Sequence, residues 1–241
     1  MGASSLIPRT GRSPELAAGI ALRFWAIVVT LAVQALLLFG GAGTLQWPWA
    51  WVYFGISLAT VLIGSTIVLR TSPELIAERG RPRQMRSWDK AVSGVLLVAG
   101  YLALPLVAGL DMRFGWTPVV SAVWHVTGAA VLAAGFSLTV WAMRANAYFS
   151  TAVRIQDERG HTVCSRGPYR FVRHPGYVGY IFQSLGIPFL LGSCWALLPA
   201  LAAIIALVIR TALEDRTLQA ELPGYREYAQ EVRYRLVPGI W

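Results

Sequence analysis

Residues 24–69 read FWAIVVTLAVQALLLFGGAGTLQWPWAWVYFGISLATVLIGSTIVL, forty-six consecutive positions without a formal charge. A helix that crosses a bilayer needs about 20 apolar residues at about 1.5 Å of rise each. The stretch therefore holds two spans. Gly40-Gly41-Ala42-Gly43 and Trp47-Pro48-Trp49 supply the turn between them, and Trp47, Trp49 and Trp51 suit the membrane interface. Charge-free runs recur at 91–110, 114–143 and 174–209, the last divided at Gly192-Ser193 into a tight hairpin of two short or tilted helices. The reading gives six hydrophobic segments, 20–43, 48–69, 91–110, 119–143, 176–191 and 194–213. Lipid offers no hydrogen-bond partners, so a spanning backbone must satisfy itself as helix or closed barrel. A barrel would show alternating strands of about 9–11 residues, whereas these runs are unbroken. The fold class is all-α: a polytopic integral membrane protein. We expect one membrane domain over 1–241, with N-terminal spans and an amphipathic loop over 18–110 and a core over 119–241. The first segment exceeds a signal-peptide core and lacks a small-residue cleavage site after it, so it is read as a retained span.

Composition points the same way. Hydrophobic residues make up 56% of the 241 positions and charged residues 14%, against about 25% charged in soluble domains. The mean hydropathy is +0.53. High hydrophobicity with little charge excludes disorder. Two cysteines exclude a disulfide scaffold and zinc-finger spacing. Cys164 and Cys194 fall on opposite sides of the expected membrane, which excludes a mutual disulfide. We expect no metal site.

The net charge of +9 reads as topology. Basic residues cluster in the N-terminal tail (Arg9, Arg12, Arg23), in the 70–90 loop, in the 144–173 loop and beyond Arg210; among 21, Arg113 alone falls on the other side. Positive residues favour the cytoplasmic face. Six spans with both termini cytoplasmic, in an inner membrane, account for the split. Nucleic-acid binding, the rival reading of a basic chain, would want one dense patch, and the charge is spread over four segments. Polar chemistry is therefore concentrated on one face, as a site using a cytosolic cofactor requires.

Within the 144–173 loop, Asp157-Glu158-Arg159-Gly160 and Ser165-Arg166-Gly167-Pro168 are turn signals, the first between two short extended pieces. The loop ends in Arg173-His174-Pro175-Gly176-Tyr177-Val178-Gly179 at the start of an apolar helix. Proline is favoured at a first helical position and pushes the residue before it toward extended backbone. The next amides, of Gly176 and Tyr177, lack intrahelical partners. A helix N-terminus with free amides binds anions, and glycine permits close approach. The junction reads either as a carboxylate or phosphate seat ringed by Arg173, His174 and Tyr177, or as a capped helix with snorkelling arginines. A second cluster, Arg210 with Glu214-Asp215, closes the last span. Arg210 and Glu214 share a helix face. This is either an ordinary ion pair or an acid placed to hold a ribose hydroxyl or an ammonium group, brought beside the junction by the short hairpin.

With both clusters in view, the chain resembles the superfamily of isoprenylcysteine carboxyl methyltransferases and integral-membrane phospholipid N-methyltransferases. The resemblance covers about residues 140–241. It rests on Gly167-Pro168-Tyr169, Arg173-His174-Pro175-Gly176-Tyr177, Arg210…Glu214-Asp215-x-x-Leu218, Tyr225-x-x-Tyr228 and the ending Arg235-Leu236-Val237-Pro238-Gly239-Ile240-Trp241. The superfamily usually has Glu-Glu where this chain has Glu214-Asp215. The resemblance implies a methyltransferase that uses S-adenosylmethionine, releases S-adenosylhomocysteine and acts on a lipophilic or prenylated acceptor among membrane lipids. In keeping with that, no Gly-x-Gly-x-x-Gly dinucleotide loop follows a strand. It implies a cofactor pocket formed by the 144–175 loop and the C-terminal helix, with cofactor contacts at Gln156, His161, Thr162, Val163, Cys164, Tyr169, His174, Pro175, Gly176, Tyr177 and Glu214. Arg210 matches a substrate-facing arginine, and Arg173 and Arg144 are candidates to share that role. A carboxylate acceptor is ionised at neutral pH and needs orientation rather than a base; an amine acceptor would need His174 or Glu214 to take its proton.

Carboxyl O-methylation and lipid N-methylation both fit. An NADPH-dependent membrane reductase of sterol-reductase type carries a similar Arg-His-Pro motif, but Arg210 with Glu214-Asp215 favours the methyltransferase. A non-enzymatic transporter or scaffold would want charged groups or broken helices near the midplane, in repeated halves. Elsewhere, His125 is read as a packing histidine and Asn146 as a helix cap or a site residue. Pro188 and Pro199 are read as kinks, residues 73–88 as an amphipathic surface segment or lid, and 214–233 as an amphipathic helix interrupted at Pro223-Gly224. The sequence leaves the oligomeric state open.

Overall fold

The structure, a computed structural model, describes residues 14–80 and 85–241. Arg9, Arg12, Arg81 and Arg83, which entered the charge argument, lie outside the described residues. The chain forms α1 (Pro14–Ala42), α2 (Pro48–Thr71), a short α3 (Pro73–Gly80) and α4 (Ser87–Leu96). α4 runs through a π-helical stretch (Leu97–Ala103) into α5 (Leu104–Phe114). Then follow α6 (Ala122–Ala145), α7 (Pro175–Leu191), α8 (Leu197–Glu221) and α9 (Tyr225–Glu231). No strand occurs among the described residues. The six hydrophobic segments are all helical, and five helices are long and apolar enough to cross a membrane: α1, α2, α4 to α5 as one unit, α6 and α8. α7 has 17 residues, or about 25 Å.

Apolar helices gain nothing from hiding from lipid, so they associate by close packing at small residues. α6 and α7 show this most plainly. A Cβ on Gly128 would strike the backbone of Leu190, one on Gly135 the Gly179 carbonyl, and one on Gly186 the Leu132 amide. Glycines seven apart on each helix thus face each other in antiparallel. Gly192, with φ +71°, ends α7 and turns the chain toward α8. Pro188 lies within α7 as expected, but Pro199 is the third residue of α8, in the first turn where no amide is needed. Its reading as a kink is corrected.

The third span carries a π-helical irregularity at Leu97–Ala103. Pro105 has no N–H to give the carbonyl four residues back, and the Leu104 amide instead bonds Ala99 O, five back. Such π stretches are frequent at functional sites, and here Tyr101 sits in it.

At the end away from the loops, Asp111 is buried and accepts bonds from the Thr117 amide at 2.7 Å and the Thr117 hydroxyl at 2.6 Å. His125 stacks on Trp49 at 4.4 Å with Nδ1 2.8 Å from Leu190 O, a packing histidine as expected. Both cysteines are free.

Candidate active site

At the opposite end, residues 146–174 fold over the helix ends. The expected turns form as short 3-10 segments, Asp157–Arg159 and Gly167–Arg170, but the extended flanks pair with no strand. Gln156, fully buried, holds the loop together: its amide donates to Tyr148 O at 2.7 Å and its carbonyl oxygen accepts from Arg159. Tyr148 stacks on His161 at 4.5 Å, and His161 Nδ1 accepts the Gln156 N–H at 3.3 Å. Burial, then the nearby Arg159 charge, lowers the His161 pKa.

The Arg173-His174 motif is anchored by Asp215, which is buried and accepts from five side chains. Arg173 reaches it through Nε at 2.8 Å and Nη2 at 3.0 Å, Arg235 Nε at 2.8 Å, Gln219 Nε2 at 2.8 Å, Tyr225 OH at 3.1 Å and His174 Nε2 at 3.4 Å. Arg173 Nη1 donates to the carbonyls of Val232 and Arg233, both at 2.8 Å. The Arg173 and His174 amides bond Tyr234 O and Arg235 O. Arg173 therefore ties the motif to the C-terminal tail and has no guanidinium nitrogen left over for an acceptor. It holds the motif in position, and it also lines the cavity described below. Arg144, the other candidate substrate residue, is exposed at the end of α6 and does not line the cavity below.

Between the loop, α4, α7, α8 and the tail lies a cavity of about 340 Å³, at the small end of the range for ligand pockets, about 300–1,000 Å³. Of the eleven expected cofactor positions, His161, Thr162, Val163, Cys164, Tyr169, His174, Gly176, Tyr177 and Glu214 line it, and Gln156 and Pro175 do not. Pro175 is fully buried at the first position of α7. The Tyr177 hydroxyl donates to Glu214 Oε2, joining α7 to α8 inside the cavity. The expected pair of free amides is reduced to one. The Tyr177 amide donates to His174 O at 3.0 Å, whereas Gly176 N–H finds no backbone acceptor among the described residues. The space a Gly176 side chain would need is filled by the Phe149 ring.

Arg210 also lines the cavity. Its Nε donates to the buried Asp89 at 2.9 Å and its Nη2 to Thr151 O at 2.7 Å, leaving Nη1 without a partner among the described residues. Asp89 also accepts the Val153 amide at 2.8 Å, so one carboxylate on α4 fixes both Arg210 and the loop. Asp89 escaped the sequence reading because it sits in a charged segment with no spacing to the motif. Arg79, Tyr101, Tyr148 and Phe149 line the cavity as well and were not singled out by the sequence. Asn146 follows the last residue of α6, accepts the Tyr148 amide at 2.9 Å and lines the cavity. The tail closes the floor with Tyr225 and Tyr228, and Tyr228 OH donates to Tyr169 O at 2.7 Å. Burial raises the pKa of Tyr169, Tyr225 and Tyr228, so they remain neutral donors.

This geometry lies largely in a region with known relatives. Residues 126–220 match the isoprenylcysteine carboxyl methyltransferase (ICMT) family. The mouse protein-S-isoprenylcysteine O-methyltransferase is 27% identical over 118 residues, which cover 48% of this chain and 40% of the relative. The chain is thus similar to the ICMT-like membrane methyltransferases in its second half. The matched stretch contains α7, the loop, the Arg173-His174 motif, Arg210 and Glu214. Arg79, Tyr101 and the tail tyrosines complete the cavity from outside it, and Asp89, also outside it, holds Arg210.

Proposed function

We propose that the protein is an S-adenosylmethionine-dependent methyltransferase acting at the membrane on a lipophilic acceptor, by carboxyl O-methylation of the isoprenylcysteine type. One observation carries the reading. Glu214 with Tyr177, the loop face 161–164 and the free Nη1 of Arg210 line one cavity between helices long and apolar enough to span. Its donor set fits the cofactor: a carboxylate for ribose hydroxyls or an ammonium group, an unpaired amide at Gly176 for a carboxylate, and aromatic rings suited to a positive centre.

When bound, S-adenosylmethionine supplies an electrophilic methyl group on a sulfonium. Glu214, held by Tyr177, fixes the polar end of the ligand. Arg210, held by Asp89 and Thr151, presents Nη1 to an acceptor carboxylate. An ionised carboxylate needs no proton removed, so the site contributes alignment and exclusion of water. Gln156 and Pro175, which do not line the cavity, and Arg173, which does, hold these groups in place. The cofactor-binding core is 119–241. The basic loops set both termini on the cytoplasmic face of an inner membrane.

Calorimetric titration of the detergent-purified chain with S-adenosylhomocysteine, and in parallel with NADPH, tests this reading. Saturable binding of S-adenosylhomocysteine, abolished in Glu214→Ala and in Tyr177→Ala, is expected. Normal binding by both variants would overturn the site, and binding of NADPH instead would move the chain to the reductases. Methyl transfer into lipid extracts then reports the acceptor; label in amine head groups rather than base-labile esters would replace O- by N-methylation.

A further inference from the structure

A second cavity, of about 400 Å³, lies between the spans, walled by α1, α2, the third span, α6, α7 and α8. Its apolar wall includes Ile27, Leu31, Val61, Leu104, Phe136 and Ile187. Its hydroxyls are largely spent on their own helices: Ser57 donates to Tyr53 O at 2.8 Å, Thr60 to Ile56 O at 2.8 Å and Thr139 to Gly135 O at 3.0 Å. What these residues offer the cavity is mostly carbon. Arg79, Tyr101 and Tyr180 line both this cavity and the loop-side one, so the two meet at these side chains. The Tyr101 and Tyr180 hydroxyls bond each other there.

Arg79 has no counter-ion. Its Nε is buried with no hydrogen-bond partner, and no carboxylate lies within ion-pair distance among the described residues. Its guanidinium sits over the Phe149 ring at 5.2 Å. The second charge lining this end is Arg23, of the same sign. The pairing is built in: α3 lies on α1 where Gly19, Ala77 and Gly80 let the backbones touch, and a Cβ on Gly80 would meet Gly19 O and the Arg23 amide. Burial, then the Arg23 charge, pushes the Arg79 pKa down to about 10, which still leaves it cationic at neutral pH. A cation whose Nε is buried without a partner carries a desolvation cost. The other buried arginines of this face, Arg154, Arg173 and Arg210, each have a carboxylate.

We propose that Arg79, with Arg23 beside it, binds the anionic head group of a lipophilic ligand whose apolar chain fills the cavity between the spans. The junction of the two cavities places that head group at the entrance to the candidate active site. If the methyltransferase reading holds, Arg79 is then a specificity-determining residue that admits a carboxylate acceptor and disfavours an amine. The binding site itself does not depend on that reading.

The test is equilibrium binding of radiolabelled oleate to the full-length chain in nonionic detergent, without S-adenosylhomocysteine, so that it stands apart from the cofactor titration. Arg79→Gln is expected to weaken oleate binding by about tenfold or more, the worth of one charge-assisted hydrogen bond, while Arg79→Lys retains most of it. Methyl oleate and oleylamine are expected to compete poorly with the wild-type chain. Competition by S-farnesylcysteine identifies a carboxylate acceptor, and competition by phosphatidylglycerol alone identifies a resident lipid; either supports the anion site. Equal affinity for oleate and methyl oleate in the wild-type chain would overturn it, as would unchanged oleate binding in a folded Arg79→Gln. The methyl oleate comparison stands even if the variant fails to fold.

Discussion

Two adjacent acids divide the work at the end of α8. Glu214 faces the cavity and bonds Tyr177, whereas Asp215 faces the protein and is surrounded by Arg173, His174, Arg235, Gln219 and Tyr225. One residue of helix turns a side chain by about 100°, which suffices to send neighbours to opposite tasks. Asp215→Ala would strand Arg173 and His174, both buried. A loss of about 3–5 kcal/mol is expected, as for breaking other buried ion pairs, seen as a lower midpoint in thermal unfolding. Glu214→Ala should leave that midpoint near wild type while removing cofactor binding. Asp215, where the superfamily resemblance would have a second Glu, meets Arg173 bidentately.

At the scale of elements, the loop and the α6–α7 pair make distinct predictions. His161 holds the loop through Nδ1, which must be unprotonated to accept the Gln156 amide. Its pKa is lowered from the ordinary 6.5 by burial and by Arg159. The folded loop thus binds fewer protons than the open one, so its stability rises with pH across this window and is lost as pH falls below about 6.5. Cofactor affinity should weaken on acidification through that window, and the dependence should flatten in His161→Gln; a pH series of the calorimetric titration reads both. In the α6–α7 pair, Gly135→Leu or Gly186→Val must push two backbones apart. A cost of at least about 1–3 kcal/mol is expected for such overpacking, with misplacement of Tyr177 reported as weakened cofactor binding.

For the whole molecule, topology turns on α7. Five helices reach spanning length and α7 has 17 residues. If it crosses as part of a hairpin with α8, Cys194 lies on the face opposite the loop. In a Cys164→Ser background, an impermeant maleimide should label exposed Cys194 from one face of sealed vesicles and an introduced Arg166→Cys from the other. Labelling of both from the same face would mean that the α7–α8 hairpin does not cross, since Arg173 and Asp215 hold the start of α7 and the end of α8 together.

The fold class was legible in the sequence because lipid leaves so few backbone solutions: long charge-free runs such as 24–69 can only be helices. The Arg173-His174-Pro175 junction and the Arg210–Glu214 face were legible for a related reason, since capping rules and helical spacing act over a few residues. What the sequence could not decide was which groups already had partners. Arg173 and Arg210 look alike as letters, yet Asp215 and the tail carbonyls occupy every guanidinium nitrogen of one, and Asp89, 121 positions away from Arg210, leaves the other a free Nη1. Arg79 looked like one more basic residue on a cytoplasmic loop. Only the packing of α3 on α1 places it between two cavities, where a charge without a partner among the described residues becomes a statement about a ligand. Long-range pairing and burial are set by how the helices meet, and no local pattern encodes that.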